Sequence, residues 1–327
     1  MPNKDGLICA YRVGADGSAA PLDWGGVEQS GNGEGWGWVH LKLTSSRAKS
    51  WLRTESGLPD NIVAALLSPE TRPRCDATRN GLLLNLRGVN LNKGAEAEDM
   101  VSIRLWIGPD RIISTRRRRL MAVQELRDRL DTGAGPESMG DFVIDLINGL
   151  LDRTGYVIDE LDERLDDLEE TARDALASEA RKNLLGLRRR AILLRRYLSP
   201  QRDALAQLVA MRSELFDEAQ RGALREISDR VVRFVEELEA LRDRSAVIQD
   251  EVTTRLAEQM NTAMYRLSVI ASIFLPLSLF TGLLGINVAG IPGSETSWAF
   301  WAVCALLIVL AGISIWIIRH LERTSSR

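Results

Sequence analysis

The chain has 327 residues, 27% of them charged, and a net charge of −3, so it holds one large domain or two ordinary ones and bulk charge names no partner. Cys9, Cys75 and Cys304 are too scattered for a disulfide framework or a zinc knuckle, which suits a reducing compartment. His40 and His320 have no second His or Cys at ligand spacing, and both read as structural.

The N-terminal "MPNKDGLICAYRV" lacks a long apolar core, so no cleaved signal peptide is expected. "LICAYRV", "WGWVHLKL", "GLLLNLRGVNL", "VSIRLWI" and "RIISTR" read as strands, the last two joined by a turn at Gly108-Pro109-Asp110. "SRAKSWLRTESG", "PDNIVAALLS" and "LMAVQELRDRL" read as helices. Residues 1–135 therefore predict a cytoplasmic α/β domain whose helices cover a mixed sheet. "RRRR" at 116–119 lies at a strand-to-helix junction with no wider basic field, so it reads as solvated or salt-bridged and not as a nucleic-acid contact. "DTGAGPESMG" marks a boundary.

Residues 136–266 predict a helical stalk. One helix runs from Asp141 to about Ala177. A second starts near Ser178 and ends at "YLSP", where Ser199 is placed to cap a further helix with Pro200 at its first position. "DELDERLDDLEE" at 159–170 carries eight carboxylates and reads as a solvated helix face, with a cation-attracting surface as the alternative. After a break near 216–222, Leu224, Ile227, Val231, Phe234, Leu238, Leu241, Ile248 and Val252 form a coiled-coil-like seam, with Ser245 its small polar member. Neither Pro nor Gly occurs from 223 to 275, so the seam runs on toward the C-terminal apolar segment as one helix of about 90–100 Å.

That helix enters 267–286, 20 residues without a charge. At about 1.5 Å per residue the run spans roughly 30 Å, the hydrocarbon thickness of a bilayer. A second run, 298–318, has Trp298 and Trp301 at one end and Trp316 near the other, as in an interfacial belt. Residues 267–327 thus predict a transmembrane hairpin with a short tail. Arg255 and Arg266 precede it, Arg319, Arg323 and Arg327 end it, and the connecting loop has no Lys or Arg; both termini are expected in the cytoplasm. Pro276 removes the backbone bond to Ser272 and predicts a bend.

The first span ends on Gly285-Ile286-Asn287. Gly and Asn tolerate left-handed backbone, so the tripeptide reads as an ordinary helix end. At a pore mouth, Asn amides from several copies would form a ring of hard, neutral acceptors for a hydrated divalent ion. Asn261, Met264, Leu267, Ala271, Leu275, Ser278 and Gly282 step by three or four and share one helix face of mixed polarity. Glu295, the one charge in the loop, is a solvated carboxylate or, repeated around a mouth, an attractor of cations.

With this tripeptide at this place, the chain resembles the CorA-type divalent-metal transport family, whose hallmark is Gly-Met-Asn. Ile in place of Met is similar to the family's zinc-transporting ZntB branch, as are "FLPLSLFTGLLGINVAGIPG", "RRYLSPQRD", "STRRRRL" and "TRPR". The resemblance covers nearly the whole chain. It implies an α+β membrane protein in a bacterial-type inner membrane, a funnel-shaped homopentamer whose first span lines the pore. It makes Gly285, Ile286 and Asn287 the selectivity filter, with Asn287 meeting the metal through its hydration shell. It places Asn261, Met264, Leu267, Leu275 and Ser278 along the conduit. The implied partners are further copies of the chain, the bilayer and divalent cations, with no nucleic acid, no cofactor and Zn2+ as the ion taken up, stimulated by a proton gradient.

Tight zinc sites use Cys or His, and this face has neither, so a channel for Mg2+, Co2+ or Ni2+ is the alternative. A membrane-anchored signalling protein is a remoter one, because the outer loop, 287–297, is too short to hold a ligand. An enzyme is not expected: there is no phosphate-binding glycine loop, no paired His, and no nucleophile beside a base.

Overall fold

The structure, a computed structural model, describes residues 5–14, 16–29, 35–69, 72–171, 177–211, 213–285 and 297–325. The chain divides into two compact units, Met1–Gln249 and Asp250–Arg327.

The first unit is built on a seven-stranded sheet: β1 (Leu7–Val13), β2 (Ala19–Pro21), β3 (Trp36–Lys42), β4 (Arg74–Thr78), β5 (Gly81–Gly88), β6 (Val101–Ile107) and β7 (Arg111–Arg116), in the order β2-β1-β3-β7-β6-β5-β4. β3 and β7 run parallel and the other neighbours antiparallel, which is the mixed sheet expected. β6 and β7 turn at Gly108, whose N–H bonds the Arg111 carbonyl at 2.9 Å. A Cβ there would come within 2.2 Å of the Trp106 ring, so the turn requires glycine.

Both sheet faces are covered, so the central strands are buried on each side and lose the simple alternation of a half-exposed sheet. Trp38, Leu84, Leu86, Ile103, Leu105 and Ile112 face one core with α4 (Met121–Asp131), α5 (Met139–Thr171), α6 (Ala177–Ala210) and the first part of α7 (Glu218–Leu284). Val39, Leu41, Leu83, Trp106 and Ile113 face a second core with α1 (Trp24–Gln29), α2 (Ser46–Thr54) and α3 (Asp60–Leu67).

Two details depart from expectation. β2, β4 and α1 are elements the pattern did not predict: β2 and β4 are short and largely exposed, and α1 holds two glycines in six residues. The second is Pro200, which was expected to open a helix and instead lies inside α6. Proline removes the N–H that would bond the Arg196 carbonyl. Leu194 and Leu198 before it, and Ala204, Leu205 and Leu208 after it, are all buried in the same core, and this shared packing carries the helix through.

α5 and α7 run side by side in the same direction. Arg230 bonds Asp152 at 2.6 Å and Arg244 bonds Asp166 at 2.6 Å, two pairs with the same sequence separation of 78. Ser138 caps α5 through the Asp141 N–H, and Gln220 of α7 reaches both Ser138 (3.0 Å) and the Asp141 carboxylate (2.8 Å). The seam residues from Leu224 to Leu241 and Ile248 are buried within this one chain, each Leu or Ile contributing about 1.5–3 kcal/mol. Ser245 is buried among them, its hydroxyl bonded to the Leu241 carbonyl at 2.6 Å. The seam thus has its partner in cis and does not by itself call for a second copy.

Two buried polar groups stand out. His40 bonds Ser114 Oγ at 2.7 Å through Nδ1, and burial, reinforced by the charge of Arg116, pulls its imidazole down to about 3. It is a neutral core histidine, as its isolation in the sequence suggested. Arg104, in the middle of β6, is fully buried, and burial together with Arg117, Arg87 and Arg74 lowers its guanidinium to about 10, still charged at neutral pH.

The second unit holds the rest of α7 and α8 (Ala299–Ser325). α7 is a single helix of 67 residues, about 100 Å long, and passes through Pro276 unbroken.

Candidate functional site

The site predicted from sequence lies on the last third of α7. From 253 to 285, and from 297 to 318, no described side chain is buried. Met264, Leu267 and Leu275 are 65, 68 and 75% exposed, and Asn261 and Ser278 are exposed with them. Both α7 and α8 contain a stretch long and apolar enough to cross a membrane. A surface this apolar is not left to water in a stable protein; it awaits lipid or other protein.

At about 100° per residue, Asn261, Met264, Leu267, Leu275, Ser278 and Gly285 fall within about 120° of arc, and at about 1.5 Å rise they extend over about 36 Å. They form a stripe. Hydroxyls elsewhere on the helix bond back to the turn before: Thr262 to the Glu258 carbonyl at 2.9 Å, Ser272 to Ser268 at 2.8 Å, Thr281 to Leu277 at 3.0 Å. Ser278 makes no such bond among the described residues, so its hydroxyl is open to a partner outside the helix.

α7 ends at Leu284, and the Gly285 N–H closes the last turn on the Thr281 and Gly282 carbonyls at 2.9 and 3.2 Å. Ile286, Asn287 and Glu295 lie outside the described residues. Trp298, Trp301 and Trp316 are exposed at the two ends of the α8 stretch, and Trp316 stacks on His320 with ring centroids 5.4 Å apart.

The acidic run 159–170 is more engaged than a plain solvated face. Leu161 and Leu165 are buried, Arg244 holds Asp162 (3.1 Å), Asp166 (2.6 Å) and Glu169 (3.0 Å), and Arg164 pairs with Glu160. Nearby on α7, Glu237 has its carboxyl raised by burial and then by the charge of Asp159, a group the sequence did not single out. Among the described residues no three His, Cys, Asp or Glu side chains gather to hold a metal ion. Arg117, Arg118 and Arg119 sit exposed between β7 and α4, the junction expected of them.

Residues 33–320 match the family described as CorA-like Mg2+ transporter protein. The divalent cation transporter CmaX of Pseudomonas aeruginosa is 42% identical over 287 residues, covering 87% of this chain and 86% of its own. The zinc transport protein ZntB of Pectobacterium atrosepticum is 34% identical over 313 residues, covering 95% and 94%. The structure of full-length CmaX matches with a TM-score of 0.85 at 39% identity, over 98% of both chains. The two apolar helices, the long α7 and the α/β unit before it recur across that whole length. This chain belongs to the CorA-like Mg2+ transporter family, a family of transporters and not of enzymes.

Proposed function

We propose that the chain carries divalent cations across a bacterial-type inner membrane as a homopentameric pore, with Zn2+ the ion taken up. In this reading 1–135 and the stalk 136–266 lie in the cytoplasm with both termini, and 267–327 form the membrane hairpin. The observation that carries it is the uncovered stripe of α7. In a lone chain, Ser278 shares an exposed face with Leu267 and Leu275 along a helix long enough to span a bilayer, and Asn261 and Met264 continue that face onto the stalk. Polar groups at membrane depth are stable where they line a water-filled path, and one such helix encloses a path only when several copies meet. Zinc is favoured over magnesium by the ZntB relatives, not by coordination chemistry, since the stripe has no His or Cys. Metal-sensitive dye flux into liposomes, with Zn2+, Mg2+, Co2+ and Ni2+ compared, tests the choice: zinc is expected fastest, and flux of magnesium alone overturns it.

The assembly has a direct check. Native mass in mild detergent is expected near 180 kDa, about five times the 36.3 kDa chain. A stable monomer or dimer removes the pore.

Glu295→Gln is expected to lower uptake at low metal, by about three- to tenfold, and to spare the maximal rate. A carboxylate ring concentrates cations, and that benefit fades as sites saturate or salt rises. An equal loss at every metal concentration points to a structural role instead.

A further inference from the structure

The sheet face beneath α2 and α3 carries a polar row across its strands. Arg74 of β4 pairs in register with Asn85 of β5, Asn85 with Arg104 of β6, and Arg104 with Thr115 of β7. Directly opposed residues share a face, so these side chains stand together. Arg104 is fully buried and Asn85 is 2% exposed. The Arg104 Nη2 donates to the Ser68 carbonyl at 2.7 Å, where α3 ends, and its Nε and Nη1 have no hydrogen-bond partner among the described residues. The Asn85 Oδ1 beside it has none either. Thr115 is committed to the Leu66 carbonyl at 3.4 Å, and Arg74 to Asp76 at 3.1 Å. No carboxylate among the described residues pairs with Arg104; the charges it feels are those of Arg117, Arg87 and Arg74, all positive.

This arrangement lacks two specific things. A guanidinium keeps its proton at neutral pH, so Arg104 needs oxygen acceptors and a negative charge. Asn85 Oδ1 needs a donor. A neutral water supplies no countercharge, and a fully ionised sulfate has no hydrogen to give. An oxyanion that retains one O–H supplies both. We propose that Arg104 and Asn85 form a binding site for a small protonated oxyanion of the hydrogen phosphate class, covered by α3, with exposed Arg117 at its solvent edge. Anion oxygens accept charge-assisted hydrogen bonds from the unpaired guanidinium N–H groups, and the O–H donates to Asn85 Oδ1.

Inorganic phosphate is the probe, with the full-length protein in detergent at neutral pH. Phosphate, sulfate and chloride are compared at matched ionic strength by thermal unfolding. Phosphate is expected to raise Tm by about 3–6 °C above chloride near saturation, and sulfate by less than half of that. Both ions also stabilise proteins by exclusion from the surface, so the decisive measure is the difference from Arg104→Met. That variant is expected to lose the phosphate-specific rise and, with no unpaired charge left to bury, to match or exceed the parent's Tm in chloride. Asn85→Ala is expected to erase the preference for phosphate over sulfate. If Arg104→Met does not fold, Arg117→Gln at its exposed position answers the question, with about three- to tenfold more phosphate needed for half the rise. A phosphate rise absent from the parent, the same in Arg104→Met, or unmoved by Arg117→Gln overturns the site. Equal responses to sulfate and phosphate overturn the role of Asn85.

Discussion

Asn287→Ala is expected to reduce zinc flux a hundredfold or more and to leave the mass of the assembly unchanged. Each hydrogen bond to a charged partner contributes about 1.5–3 kcal/mol, and a symmetric ring loses several at once. A hundredfold corresponds to only about 2.7 kcal/mol, so it is a floor. The helix end survives the change, because its last turn closes upstream: the Gly285 N–H bonds the Thr281 and Gly282 carbonyls whatever stands at 287. Alanine there forfeits only the capping preference of asparagine, a fraction of the stability of a buried assembly. Asn287→Gln separates chemistry from position. It keeps the amide but moves it outward by one methylene, and intermediate flux is expected. Full flux from a correctly assembled Asn287→Ala protein would sink the filter assignment.

Much of the architecture was legible because burial writes itself into spacing. The seam of α7 could be read from Leu224 to Ile248, and every one of those named apolar positions is buried. Two uncharged stretches of bilayer length announced the apolar helices, and the turn at Gly108 lies where glycine alone fits beside Trp106. What escaped did so for physical reasons. Edge strands such as β4 bury one face or none and carry no alternation. Pro200 looked like a helix start because local backbone chemistry says so, and packing on both sides outvoted it. Arg104 is a single charge in "VSIRLWI", and the sequence could not say that it points into a covered face with no acid beside it. The candidate pore stripe was the hardest to separate from a lipid face. In one chain both surfaces are equally bare, so Leu275 and Phe274 differ only in direction around the helix, at 75 and 63% exposure.

The driving force gives the other large effect. A doubly charged ion entering an interior negative by about 100 mV gains about 4.6 kcal/mol, from about 2.3 per charge. At about 1.4 kcal/mol per factor of ten, that is more than a thousandfold accumulation at equilibrium. Liposomes clamped at that potential are expected to concentrate zinc to this degree with no pH gradient, because nothing on the stripe carries a proton: Asn261, Met264, Leu267, Leu275 and Ser278 do not titrate near neutral pH. Any stimulation by protons is therefore expected to act from outside the span. Glu295 is one candidate and the acidic run the other. Within that run Asp162, Asp166 and Glu169 are tied to Arg244, whereas Glu237, raised by burial and by Asp159, takes up a proton at higher pH than an ordinary carboxylate. Zinc flux at zero potential, with and without an inward proton gradient, separates these terms. A few-fold stimulation is expected, lost in Glu295→Gln if the loop holds the proton and lost in Glu237→Gln if the stalk does. Stimulation that survives both variants and vanishes on replacing a residue of the stripe overturns the placement. Potential-driven accumulation without any response to the gradient leaves a passive channel, which the charge of the ion alone suffices to drive.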